Sequence, residues 1–377
     1  MLSALFPRTE IQNALNPWGS WGDSGIETAS GERVTTESAL QLLTVYGCVR
    51  LISDGISTLP IDVYRVDLQG EKKPAPKPAW LEQPTVDLDF PSWCGQVLSS
   101  LLLQGNSYWF VARSSTGTIV ELVPLDPAKV QVTRVSGRKK YIVNGVEVPS
   151  AEIVHVKGLM LPGADVGMSP VEYARQSIGL GLAAVKFGGD FFQNEGNMPG
   201  VIEAPGDMQP ETMDNLAKQW RRKRTKGGKG LPGVLKGGAT WKPTGVTNEQ
   251  AQFLATRQYT AAEIAGQMFL VDPSELGIPV AGTSLTYANL EQLNARRVQV
   301  TYLPWIVRIE KAISDLLMRP RYMKFNVEGL LRGDQKSRYE AYELGITAGF
   351  LLPDEAREKE DMGPMPGPAV TPGGPPA

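Results

Sequence analysis

The sequence predicts an α+β fold, and three observations carry that reading. Apolar residues recur at helical spacing over Ala39, Leu42, Leu43, Tyr46, Val49, Ile52 and Ile56. Between residues 106 and 157 the pattern changes to short β-rich runs separated by turn residues, among them an Asn144-Gly145 pair suited to a type I′ hairpin. From Ser169 onward long helical stretches return, the first opened by Ser169 as N-cap, Pro170 at the first helical position and Glu172 closing a capping box.

Taken in order, residues 1–36 are rich in Gly, Ser, Asn and Trp without periodicity and read as an extended or partly ordered arm. They carry neither the basic start nor the apolar stretch of a signal peptide. One helix is predicted next, from a capping box of Ser38 and Gln41 to Pro60, followed by the strand "IDVYRV". Residues 71–91 contain several prolines and read as a loop. A second helix over 91–104 places Trp93, Val97, Leu98, Leu101 and Leu102 on one side and stops at Gly105-Asn106. "SYWFVAR", "TIVELVPL", "KVQVTRV", "YIVNGVEV" and "EIVHVK" are strands, so residues 37–169 form one α+β unit.

The helix over 170–195 has a stripe of small residues, Ala174, Ser177, Gly181, Ala184 and Gly188, which another backbone can approach closely. Glycine in a helix interior costs roughly 1 kcal/mol relative to alanine. Glycines 179, 181, 188 and 189 therefore call for close packing, or else for a kinked or broken helix. Residues 196–246 read as a small α/β module, and a helix over 247–271 follows, with Thr247 and Gln250 as its capping box. Two helices of roughly 35 Å bracketing a small module predict an antiparallel stalk with the module at its tip. Residues 272–286 form a loop rich in helix breakers. The longest helical pattern runs from Tyr287 to Met318, with a kink expected at Pro304, and a strand completes the segment 287–331. Short charged helices fill 332–362, and the Pro/Gly-rich residues 363–377 are expected to be disordered.

The chain has 377 residues, 42% of them hydrophobic, which is enough to bury a sizeable core. Lys and Arg number 38 against 40 Asp and Glu, a net charge of -2 that argues against a general nucleic-acid coat. Positive charge is instead concentrated in one stretch, at Lys218, Arg221, Arg222, Lys223, Arg224, Lys226 and Lys229. That run reads as a solvated helix end, a localisation signal, or a contact to nucleic acid or to an acidic protein surface. Trp220 is its one aromatic, which does not make a single-strand stacking platform.

Little in the sequence supports catalysis. The single histidine, His155, lies in a strand and reads as structural; Cys48 and Cys94 read as buried small hydrophobes, consistent with a reducing compartment. One histidine and two separated cysteines cannot build a zinc site, and neither GxxxxGK[ST] nor GxSxG occurs. No catalytic residue, metal site or cofactor is assigned. No run of 18 apolar residues occurs, so no membrane span is expected.

Several stretches share an order with one known family. "TVYGCVRLISDGISTLPIDVYR", "LLLQGNSYWFVAR", "ELVPLDPAKVQV", "EIVHVKG" and "GMSPVEYARQSIGLGLAAVKFGGDFFQNEGNMPGVIE" are followed by "FLVDPSELGIP", "SLTYANLEQLNARRVQVTYLPWIVRIEKAISDLL" and "LLRGDQKSRYEAYELGITAGFLLPDEAR". Together, over residues 37–362, the chain resembles the siphophage-type portal proteins of tailed double-stranded DNA bacteriophages. The resemblance implies a ring, usually of twelve copies, at one capsid vertex of the virion, with DNA passing through its channel. It implies a portal-type fold: wing 37–169, stem helices 170–195 and 247–271, clip 196–246, tunnel loop 272–286, a kinked helix and wing return 287–331, and crown 332–362. Asp272, Glu275, Thr283 and Ser284 would then lie in the tunnel loop, and the small-residue stripe would pack neighbouring stem helices in the ring. The implied partners are the same chain, the major capsid protein or scaffold, the terminase large subunit, a head-completion or tail adaptor and duplex DNA, with assembly in the host bacterial cytoplasm. ATP hydrolysis would belong to the terminase. The alternative reading is a sequence-independent nucleic-acid-binding protein that uses the basic 218–229 segment.

Overall fold

In the computed structural model the described residues are 26–67, 69–193, 200–203, 211, 214–215, 218, 240–243, 249–279, 287–327, 330, 335–358, 360, 362–363 and 365. The end of the N-terminal arm is ordered: strands β1 (Ile26–Glu27) and β2 (Arg33–Val34) pair antiparallel, with Thr28 buried. The first helical stripe then folds as two helices, α1 (Thr36–Leu40) and α2 (Leu43–Ser57), where one was expected. The capping box also shifts. Thr35, in extended conformation, accepts from the Ser38 amide at 3.1 Å while the Ser38 hydroxyl accepts from the Thr35 amide at 2.8 Å. Ser38 is therefore the third helical residue and not the cap, and Gln41 is the C-cap.

Strands β3 (Ile61–Val66) and β4 (Lys72–Ala75) and the short helix α3 (Ala79–Glu82) come next, so part of the expected loop at 71–91 is regular structure. Pro74 fits within β4 because β4 is an edge strand, where a residue lacking an N–H is tolerated. Helix α4 (Phe90–Gln104) begins at Asp89, whose Oδ1 accepts from the Ser92 amide at 3.0 Å, and ends at Gly105 with φ +69°. Six strands follow: β5 (Asn106–Arg113), β6 (Ile119–Leu125), β7 (Val130–Val135), β8 (Arg138–Val143), β9 (Val146–Val148) and β10 (Ile153–Lys157). The β8–β9 turn is the predicted Asn144-Gly145 hairpin, with φ of 49° and 80° at its two central residues.

Helices α2 and α4 pack on one another inside the main core. Trp93 on α4 meets Trp109 on β5 edge-on at 4.7 Å and donates its Nε1–H to the Leu122 carbonyl at 2.8 Å, so the buried indole is satisfied. A second, smaller core of Tyr108, Phe110, Tyr141, Val143, Val148 and Ile153 joins the sheet β10-β5-β6 to the sheet β7-β8-β9.

The helix expected over 170–195 is broken. Helix α5 (Pro170–Tyr173), with Ser169 as its cap, is followed at Ala174 by non-helical dihedrals, and α6 (Arg175–Gln193) continues from there. Strands β11 (Gly200–Glu203) and β12 (Thr240–Pro243) pair antiparallel between α6 and helix α7 (Glu249–Glu263). The capping box at Thr247 lies outside the described residues. Helices α6 and α7 pack together, and α7 runs into a π turn at Ile264–Met268.

The long helix consists of α8 (Tyr287–Arg296), a π turn at Arg297–Tyr302, and α9 (Leu303–Ser314). Its irregularity is the π turn just before Pro304; the chain stays helical through Tyr302 and Leu303, so the proline, which cannot donate to the preceding turn, lies inside one continuous but irregular helix. Strand β13 (Arg321–Phe325) then pairs antiparallel with β3 and completes the sheet β13-β3-β4. Buried Glu310 on α9 sews the two together, accepting from Lys324 Nζ at 2.5 Å and from the Phe325 amide at 2.9 Å. Helices α10 (Gln335–Thr347) and α11 (Pro353–Glu358) complete the described chain. Among the described residues no helix is long and apolar enough to cross a membrane.

Candidate functional site

The root of the predicted tunnel loop is built by two π turns. At the end of α7 the amide of Val271 reaches back to the Ala265 carbonyl at 2.9 Å, which forces Leu270 to a left-handed φ of 56°. A non-glycine residue pays this strain only where its surroundings fix it. The Thr301 hydroxyl, on the other π turn, holds the Leu270 carbonyl at 2.6 Å. The hydroxyl end of Tyr302 abuts Gly55, where a Cβ would come within 2.1 Å of its oxygen, and the hydroxyl donates to the Leu51 carbonyl at 3.2 Å. Residue 55 is therefore a glycine because an aromatic ring occupies the space of its side chain.

Both acidic residues of this loop face arginines of the long helix. Asp272 caps the 3-10 turn Pro273–Leu276, its Oδ1 accepting from the Ser274 amide at 3.0 Å, while its Oδ2 pairs with Arg296 at 3.2 Å. Glu275 pairs with Arg297 at 3.0 Å. Burial pushes the Glu275 carboxyl above its ordinary range, and the Arg297 guanidinium opposes that shift. The Cys48 thiol is pushed up to about 12, by burial first and the Glu275 charge second, so it is inert as a nucleophile near neutral pH. Thr283 and Ser284 lie outside the described residues. Arg296 and Arg297 were not singled out in the sequence; the adjacent pair in "NARRVQ" was the available signal.

At Gly181 the small-residue stripe is approached from within the same chain. A Cβ on Gly181 would lie 2.9 Å from Leu42 and 3.5 Å from Thr260 of α7, so this glycine lets both elements close on α6. Gly179 faces the arm hairpin, where a Cβ would meet the Thr28 hydroxyl at 2.5 Å. Lys186 and Glu32 pair at 2.9 Å along the same contact. Gly188 is buried, Ser177 and Ala184 are half-buried, and Ala174 marks the helix break. Of the basic run only Lys218 is described, as an exposed helical residue; Arg221, Arg222, Lys223, Arg224, Lys226 and Lys229 lie outside the described residues.

His155 belongs to a polar joint under the stem. Asn106 Nδ2 donates to the carbonyls of Gln104 at 3.0 Å and Gly167 at 2.8 Å. Its Oδ1 therefore accepts from the Gly167 amide at 2.6 Å and from His155 Nε2 at 3.0 Å. That assigns the imidazole proton to Nε2 and leaves Nδ1 to accept from the Tyr141 hydroxyl, 3.4 Å away. Burial, reinforced by Lys157 and Lys139, lowers the His155 pKa to about 3, so the ring stays neutral. Gly105 does more than stop a helix, since a Cβ there would lie 1.8 Å from the Met168 carbonyl oxygen. No group of three His, Cys, Asp or Glu among the described residues could hold a metal ion.

Two packed helices that follow an α+β unit, with a loop root whose two acids are each paired to an arginine of the long helix, are the features a family assignment has to match. The chain belongs to the phage portal protein family, whose model matches residues 43–361. It is 36% identical over 373 residues to the probable portal protein of Streptomyces phage phiC31, covering 91% of this chain and 79% of that one. It is 29% identical over 365 residues to the portal protein of Enterobacteria phage HK97, covering 93% and 83%. Among solved structures it is similar to the neck of an empty GTA particle computed with C6 symmetry, with a TM-score of 0.62, 21% identity, and coverage of 92% of this chain and 96% of that chain.

Proposed function

We propose that copies of this chain close into a ring, twelve by the family resemblance, at one capsid vertex, and that duplex DNA passes through its channel during packaging and ejection. The observation that carries this reading is the family match, which spans residues 43–361. The charge-paired loop root supports it: Asp272 and Glu275 are each neutralised by an arginine, so this segment neither repels nor holds a passing phosphate backbone strongly. The near-neutral net charge of -2 agrees with a conduit that must let DNA move.

The ring acts without chemistry of its own, and ATP hydrolysis resides in the terminase that docks on it. The segment 196–246 is the docking platform for terminase and later for a head-completion or tail adaptor, and the wing is the part in contact with capsid protein or scaffold. The two phage relatives are both named portal proteins, and neither name is that of an enzyme. Assembly takes place in the host cytoplasm before incorporation into the particle. In vitro packaging tests this reading: capsids assembled with the protein should protect duplex DNA from nuclease when terminase and ATP are added. Equal protection by capsids lacking the protein would overturn it.

A further inference from the structure

A cleft of about 560 Å³ opens where the bases of both stem segments meet the wing and the long helix. Its wall is apolar and open to solvent: Leu159 and Tyr173 are 69% and 60% exposed, and Leu270 and Val300 continue the surface. Leu303 and Val307, on the helix that carries the cleft residues Pro304 and Arg308, are exposed as well. Scattered exposed apolar residues need no explanation, but a group around one cleft marks an interaction surface.

The cleft also holds unmatched charge. Arg308 is half-buried; it donates to the Pro304 carbonyl at 2.5 Å and lies 5.3 Å from the Trp305 ring. No carboxylate among the described residues comes within 4.0 Å of it, and Glu263, in the same cleft, has no ion pair among them either. A partly desolvated guanidinium gains most from a carboxylate brought to it in a shielded site.

We infer that this cleft is one half of the subunit interface, filled by an apolar segment of a second copy of this chain that brings a carboxylate to Arg308. The inference rests on the ring reading above. A closed cyclic ring is heterologous, so each subunit must present two different complementary faces, one of them concave where the other protrudes. The cleft lies at the joint of stem, wing and long helix, so its occupancy by a neighbour locks the angle between those parts in every subunit at once.

The test places a photoreactive benzoylphenylalanine at Tyr173 and mixes light and 15N-labelled protein before assembly. Irradiated rings should give mixed-isotope cross-links mapping to an acidic, apolar peptide. Rings that form normally but give only same-isotope cross-links, or none, overturn the inference while leaving the ring intact. In parallel, R308E should reduce ring yield by about tenfold or more while the thermal midpoint of the unassembled chain is unchanged; normal ring yield overturns the inference. Failure of the unsubstituted chain to form rings would overturn both readings, and it is seen before any irradiation.

Discussion

Arg297 and Glu275 meet in a 3.0 Å ion pair that ties the π turn of the long helix to the root of the loop after the second stem helix. Both side chains are mostly shielded, at 26% and 13% exposed. Arg297 also donates to Asn294 Oδ1 at 2.5 Å, so the guanidinium is fixed on its own helix before it reaches the acid.

The pair sets the first prediction. Arg297→Met leaves Glu275 as a shielded carboxylate without its cation, and should cost about 1–3 kcal/mol at pH 7. Glu275→Gln should cost less, because an amide needs no counter-charge. A carboxyl with a raised folded pKa contributes stability below its unfolded pKa and loses it as pH rises through the folded value. The Arg297→Met defect should therefore shrink as pH falls toward the ordinary range of a carboxyl. Urea denaturation at the two pH values checks this, and an equal defect at both would contradict it.

Two glycines of one helix should respond with opposite signs. A Cβ at Gly179 would crowd Thr28, whereas Gly189 has nothing within 4 Å. Gly179→Ala should lower stability by about 1–3 kcal/mol and release the arm hairpin to proteolysis. Gly189→Ala should raise stability by up to about 1 kcal/mol through helix propensity. Thermal melts of both variants suffice, and a stabilising Gly179→Ala would refute the arm contact.

His155 should dominate the acid response of the wing. Its folded pKa of about 3 lies below the ordinary value of 6.5, so its contribution is present above 6.5 and is lost as pH falls from there toward 3. Between pH 7 and 5 this amounts to about 1–2 kcal/mol. His155→Gln should flatten that part of the stability profile, and an unchanged slope would count against the neutral-imidazole assignment.

Neutralising Arg221, Arg222 and Arg224 together should leave folding unchanged and reduce packaging severalfold, because the proposed docking segment loses charge used in encounter with a partner. Nuclease-protected DNA is the readout. Full packaging by the triple variant would assign this run to a merely solvated surface.

Much of this architecture was legible where one residue's chemistry decides the outcome. Asn144-Gly145 reports a hairpin, Ser169-Pro170 a helix start, and Gly105 a helix stop, because each acts within its own turn. What depended on distant partners was not legible. Ser38 looks like a cap until Thr35 is seen in the extended conformation, and β4 carries Pro74, which its edge position tolerates. The return of β13 to β3 joins segments far apart in sequence, whereas the broken helix the glycines allowed is found, with its break at Ala174. At the loop root the sequence displays Asp272 and Glu275 as charges, and only the fold brings each to an arginine on another helix. At Gly181 a Cβ would meet Leu42 and Thr260 of the same chain, partners the stripe pattern does not name.

The central claim is closure into a ring, and electron microscopy of the purified protein, alone and with capsid protein or scaffold, tests it most directly. The account predicts closed particles of cyclic symmetry with a continuous axial hole. A chain that stays monomeric under all of these conditions would contradict it.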